Sequence, residues 1–328
     1  MSHCRPKQSA LARIFIYFVT GLVLFLTMEG ISYPATMEST IATKSEITFV
    51  FDGNTYKALL YIPQDNNSKK SYPFLIATPG VGERLLGFIR STDLARMASL
   101  HGFIVAFPQI EQNNNWIDWL NRQNGDNYAA GFFRSLIVSA SKSANIQSNN
   151  IYLTGFSTGG MLVLTAMCDL ANDIAAFAVV SASLPNGWKS QCSIKRAVPA
   201  IIMASRTDPV LPWDGGQFTV PLAAAHTFTV LPIDETVALW RSNNKCNPRP
   251  VLEPLANADV SDGTTVTRLK YDYECRNDAQ VLLYAITGGG HSWPGSVIKL
   301  RTFQGNISQD ISASNTIWEF MRKYSLKH

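Results

Sequence analysis

The segment "NIYLTGFSTGGMLVL", Asn150–Leu164, sets a single serine between glycines at 155 and 159, with apolar runs on either side. A chain that reverses from strand to helix within a few residues needs glycines where backbone segments approach closely. A serine at the apex of such a turn is strained, with its hydroxyl raised above the carboxyl edge of a sheet. The helix N-terminus behind it offers free N–H groups and positive potential. That setting suits a nucleophile that attacks an acyl carbon and an oxyanion that forms beside it. The competing reading makes Ser157 a capping residue in an ordinary glycine-rich turn.

A serine hydroxyl is a weak nucleophile at neutral pH and needs a base. Of the five histidines, His3 and His328 lie at the chain ends, and His101 closes a helical stretch. His226, in "AAAHTF", has no setting that would expose it over a sheet. His291, in "ITGGGHSWPG", follows the apolar run 281–286, so a glycine-lined loop can carry its imidazole over the sheet edge. The base needs a carboxylate to fix its tautomer. Asp208 lies three residues past the run "PAIIMAS"; Asp214 competes six residues further on, and proximity to the strand end favours Asp208. For the oxyanion, the backbone N–H of Thr158 is one donor. "TPGVG", 78–82, follows the run "PFLIA" and supplies Val81 N–H as the second candidate, since Pro79 has no N–H. The competing reading of this loop is a plain glycine turn. Trp213 and Trp293 sit close to Asp208 and His291, and Trp116 and Trp119 lie on a long polar loop. They are candidates for lining an apolar substrate groove, with loop packing as the alternative.

Several elements must position these groups. Runs at 47–51 and 58–62 flank "DGN" as a hairpin. Buried strands are expected at 73–77, 103–107, 151–154, 175–182, 199–205 and 281–286, and a half-exposed one in "TVTRLKYDY". Helices are expected from a Ser91 or Thr92 cap to Leu100, ended by Gly102, and at 129–143, 161–170, 233–244 and 308–324. Unbroken apolar strands alternating with helices imply an α/β fold, a mainly parallel twisted sheet covered by helices on both faces, with antiparallel strands at one edge. No repeat or linker divides the chain, so residues 40–328 read as one catalytic domain.

Composition narrows the partners. The chain has 328 residues, 46% apolar and 16% charged, with a net charge of +4. Arg5, Lys7, Arg13 and Glu29 belong to the leader; without them 25 basic residues face 23 acidic ones. No dense basic run remains, which argues against nucleic-acid binding. Residues 1–35 place three basic residues ahead of the uncharged stretch 14–28, the order of a secretory signal peptide. Fifteen residues fall short of the roughly 20 that span a bilayer. The alternative is an uncleaved N-terminal anchor, which would be the route to a membrane. Cys4 precedes the apolar stretch and is no lipid acceptor. Export to a secreted or periplasmic location fits the four remaining cysteines, 168, 192, 246 and 275. Three pairings are possible. Cys168–Cys192 and Cys246–Cys275 close local loops and are favoured over the other pairings and over free thiols, each contributing about 3 kcal/mol. No Cys-x-x-Cys or paired-His spacing points to zinc or another metal.

The chain resembles a known family, the secreted esterases grouped with polyhydroxybutyrate depolymerases and feruloyl esterases within the α/β-hydrolase fold. Five stretches carry the likeness over most of 45–325: "LARMASLHGFIVAFPQ", "NIYLTGFSTGGM", "SRTDPVLPWDGG", "KYDYEC" and "GGGHSWPG". The order serine, aspartate, histidine is that of the same fold. The resemblance implies Ser157, Asp208 and His291 as its catalytic residues, a disulfide between Cys246 and Cys275, and hydrolysis of small or polymeric esters without cofactor or metal. The sequence departs from the family in two places. Thr78-Pro79-Gly80-Val81 stands where the family has Leu-His-Gly-Cys or Leu-His-Gly-Gly, and Ala129 and Ala130 stand where it has an aspartate. A rival reading is a non-catalytic binding protein that retains the hydrolase fold. A peptidase or amidase would use the same three residues, and a dehalogenase would carry aspartate in place of Ser157.

Overall fold

The computed structural model describes residues 42–64, 70–109, 119–120, 127–219, 227–298 and 304–327. The leader, Cys4, His3, Trp116, His226 and His328 lie outside the described residues. Thr40–His328 is one compact unit.

Nine-residue strands β1, Thr43–Phe51, and β2, Asn54–Ile62, pair in register through the turn at Asp52 and Gly53, where both residues have positive φ. The apolar runs that follow form β3, Tyr72–Thr78; β4, Ile104–Gln109; β5, Ile146–Phe156; β6, Ala176–Val180; β7, Ala200–Ser205; and β12, Val281–Thr287. These six pair in parallel, in the order β4-β3-β5-β6-β7-β12. They are continuously apolar because both faces are buried. Phe74 and Ile76 enter one core while Leu75 and Ala77 enter the other. Helices α3, Tyr128–Ser143; α4, Thr158–Leu170; and α5, Ile233–Asn243, cover the first face. The second is covered by α1, Leu85–Thr92; α2, Leu94–His101; and α6, Ala313–Met321.

Antiparallel strands close both edges, where one edge was expected. β2 pairs with β4, and beyond β12 lie β11, Thr265–Tyr271, and β10, Val251–Pro254. A separate hairpin joins β8, Gly216–Thr219, to β9, Thr227–Val230. Two helix expectations change. Ser91 and Thr92 end α1 and donate to the Phe88 carbonyl; the break before α2 falls at Asp93, at φ 56°. The last helix starts at Ala313, capped by Ser312. Residues ahead of it are drawn away by tertiary bonds such as Gln309 N–H to Asp262 Oδ2, 2.6 Å. Disulfides join Cys168 to Cys192 and Cys246 to Cys275, the two local pairings. No helix among the described residues is long and apolar enough to cross a membrane.

Candidate active site

β5 leads straight into α4, and Ser157 occupies the turn at φ 55°, ψ −127°. A β-carbon on Gly155 would collide with the Gly159 carbonyl, and one on Gly159 with the carbonyl oxygens of Thr78 and Pro79. The turn is therefore closed to any side chain at those two positions. A non-glycine residue in this region of φ, ψ costs about 1–3 kcal/mol and persists only where its surroundings hold it. Here Ser157 N–H donates to the Val180 carbonyl, 3.0 Å, tying the strained residue to β6. Ser157 occupies the N-cap position of α4, yet its side chain makes no capping bond.

That side chain instead meets His291. Ser157 Oγ lies 2.8 Å from His291 Nε2, and His291 Nδ1 lies 2.8 Å from Asp208 Oδ2. With the tautomer that carries hydrogen on Nδ1, the imidazole donates to the carboxylate and accepts from the serine hydroxyl. The side chains of His291 and Asp208 are 6% and 1% exposed, so water competes little for either bond. Asp208 Oδ1 accepts from Val210 N–H and Leu211 N–H, both at 2.8 Å, which fixes its rotamer. Asp214 is exposed in the next turn and makes no bond to His291. His101 is exposed at the end of α2, away from these groups.

Sequence reasoning missed the residues that hold these loops. The Gly289 carbonyl accepts from Ser205 Oγ and Thr207 Oγ1, each at 2.7 Å, which joins the histidine loop to the aspartate loop. His291 N–H donates to the Gln304 carbonyl, 2.6 Å, and the Phe156 ring lies 5.0 Å from the imidazole. Glu83 is a third omission. Its Oε2 accepts from Gly80 N–H at 3.2 Å. Only its position, three residues past Gly80, hinted at that.

The two candidate oxyanion donors are in different states. Thr158 N–H has no acceptor among the described residues, as the first N–H of a helix should. Val81 N–H is not free. It donates to Thr158 Oγ1 at 2.8 Å. Three of the four candidate tryptophans lie among the described residues, and each is buried. Trp213, 8% exposed, packs in the first core under the Arg206 guanidinium, 4.1 Å from the ring centroid. Trp293, 5% exposed, donates from Nε1 to Ser314 Oγ and packs edge-on against Phe88. The cavity beside Trp293 is lined by Phe88, Phe156 and Ile298 among others. Trp119 is buried in an aromatic cluster with Phe51 and Phe132. Large amphipathic rings near a site are satisfied as readily by packing as by substrate. Among the described residues no three His, Cys, Asp or Glu side chains converge as metal ligands would.

The family model described as Phospholipase/Carboxylesterase matches residues 111–227, a stretch that holds Ser157 and Asp208 and ends before His291. Feruloyl esterase D of Neurospora crassa is 22% identical over 302 residues, 87% of this chain and 88% of that protein. The NocK protein of Nocardia uniformis subsp. tsuyamanensis is 26% identical over 203 residues, 58% of this chain. The match spans 56% of NocK's length, about half of that relative. Among solved structures, native pOPH superposes with a TM-score of 0.50 at 13% identity, over 88% of this chain and 92% of that one. At that identity the likeness concerns the fold alone. The fold is that of the α/β-hydrolases, and the sequence relatives it matches carry esterase names.

Proposed function

We propose that the protein hydrolyses carboxylic esters through an acyl-enzyme on Ser157. The observation that carries the reading is the imidazole of His291 bridging Ser157 Oγ and Asp208 Oδ2 at 2.8 Å on each side. As Oγ attacks the ester carbonyl carbon, its proton passes to Nε2, and the carbonyl oxygen becomes an oxyanion facing Thr158 N–H. Collapse breaks the bond to the alcohol, which leaves with the Nε2 proton. Water then attacks the acyl-enzyme with Nε2 again as base, and the acid departs with Ser157 restored. Asp208 holds Nδ1–H and stabilises the imidazolium in both steps.

The substrate class we infer is polyhydroxyalkanoate-type, feruloyl or acetyl ester; a relative named feruloyl esterase along nearly its whole length supports the second most directly. Residues 40–328 are proposed as the catalytic domain and 1–35 as an export signal or anchor. Two disulfides fit an oxidising location, secreted or periplasmic.

The test is Ser157→Ala on a short p-nitrophenyl ester. Turnover should fall at least about 10³-fold, since the nucleophile is lost; retained turnover would overturn the reading. The non-catalytic binding protein is favoured by one observation, that Gly80 N–H and Val81 N–H are both engaged. A fluorophosphonate probe separates the two: the enzyme is labelled at Ser157 and the binding protein is not.

A further inference from the structure

Loop 78–82 faces the nucleophile, yet its candidate backbone donors are taken. Pro79 has no N–H, Gly80 N–H goes to Glu83 and Val81 N–H to Thr158 Oγ1. Thr158 is in the opposite state. Its side chain accepts from Val81 and donates to nothing among the described residues, although the residue is 1% exposed. Its backbone N–H, at the start of the 13-residue α4, also lacks an acceptor. The hydroxyl hydrogen and the backbone N–H of this residue, next in chain to Ser157, are both without an acceptor among the described residues. Some buried hydroxyls elsewhere find acceptors, as Ser183 Oγ does at the Leu231 carbonyl and Thr165 Oγ1 at the Leu162 carbonyl, whereas those of Thr78 and Thr154 do not; Thr158 differs from these two in lying next in chain to Ser157 and in accepting from Val81 N–H.

We propose that the Thr158 hydroxyl is the second oxyanion donor, in place of a backbone N–H from the loop. The inference rests on the serine-hydrolase reading above. As the acyl carbon becomes tetrahedral, its oxyanion accepts from Thr158 N–H and Thr158 Oγ1–H together. Val81 N–H stays on Thr158 Oγ1 and strengthens that hydroxyl as a donor, because a hydroxyl that accepts a bond donates a stronger one. No proton leaves Thr158; the step is hydrogen bonding to charge that develops on the substrate. The loop then keeps its shape without the residues the resembling family carries there, since Val81 contributes only its N–H.

The experiment compares Thr158→Val and Thr158→Ser with the wild type on a short p-nitrophenyl ester. A trifluoromethyl ketone of the same acyl chain reports oxyanion binding, and a fluorophosphonate reports the nucleophile. Thr158→Val keeps the shape, removes the hydroxyl and frees Val81 N–H. It should lose about 10²–10³ in kcat with KM little changed, as removal of one oxyanion donor does, and ketone affinity should fall with kcat. Thr158→Ser should restore both to within a few-fold. If Thr158→Val keeps wild-type kcat and ketone affinity, or exceeds them because Val81 N–H takes over, the proposal is overturned. Should the valine variant not fold, judged by its melting curve, Thr158→Ala is read by the same two outcomes. A wild type that is neither labelled nor active overturns the serine-hydrolase reading itself, a distinct result from an active wild type with an indifferent Thr158→Val.

Discussion

At the turn from β5 into α4, the backbone itself leaves no room: carbonyl groups occupy the space that side chains at 155 and 159 would need. Across from it, loop 78–82 is held by acceptors on side chains, Glu83 for Gly80 N–H and Thr158 for Val81 N–H. The first region is fixed by excluded volume, which admits no substitute. The second is fixed by hydrogen bonds, which other side chains in other places can supply. The residue types of the turn are thus dictated by shape, and those of the loop only by the need for some acceptor. That is why the chain can carry Pro79 and Val81 in a loop where the resembling family has other residues.

The largest effect that would break this comparison is at Gly159. Gly159→Ala pushes a methyl group into the Thr78 and Pro79 carbonyls. It should destabilise by about 1–3 kcal/mol and lower kcat roughly 100-fold, since a displacement near 1 Å at the reacting centre costs that much. Urea titration and ester turnover measure the two; a variant with wild-type values would remove the excluded-volume account. Glu83→Ala is the smaller change on the opposite wall. It strips Gly80 N–H of its carboxylate acceptor, a loss of about 1–3 kcal/mol for a buried donor, and kcat should drop about tenfold while fluorophosphonate labelling continues. An unchanged kcat would mean that the loop holds its shape without Glu83.

The smallest effect sharpens the comparison by lying outside it. Glu253, on edge strand β10, bonds Lys270 and Arg268 of β11. The bond from Lys270, then that from Arg268, holds its carboxyl below the ordinary glutamate value. A lowered value in the folded state means the stabilisation is complete above the ordinary carboxylate range and is lost as pH falls through the lowered value. Glu253→Gln should flatten that part of the acid limb in melting temperature against pH and leave kcat at pH 7 unchanged. A fall in kcat would show the edge strand coupled to the site.

Much of the scaffold was readable because it follows from local chemistry. Six parallel strands are uninterrupted apolar runs, a consequence of burial on both faces. Gly155, Ser157 and Gly159 carry their geometry in their own residue types, and His291 and Asp208 follow from strand ends and loop composition. What stayed hidden depends on partners distant along the chain. The Val81 bond joins residues 77 apart, and the hydroxyls on the Gly289 carbonyl reach across 84 and 82 positions. Ser91 or Thr92 reads as the cap of a helix in sequence, yet they end α1, and α2 starts after Asp93, whose carbonyl accepts from Met97 N–H. The tryptophans stayed open between groove and packing, since a ring beside such a loop looks the same in sequence whether it faces ligand or core.

The two hydrogen bonds that the Gly289 carbonyl accepts have a mechanical consequence. Ser205 and Thr207 belong to the aspartate side and Gly289 to the histidine side, so the two loops act as one stiff jaw. The imidazole cannot swing outward without dragging its carboxylate along.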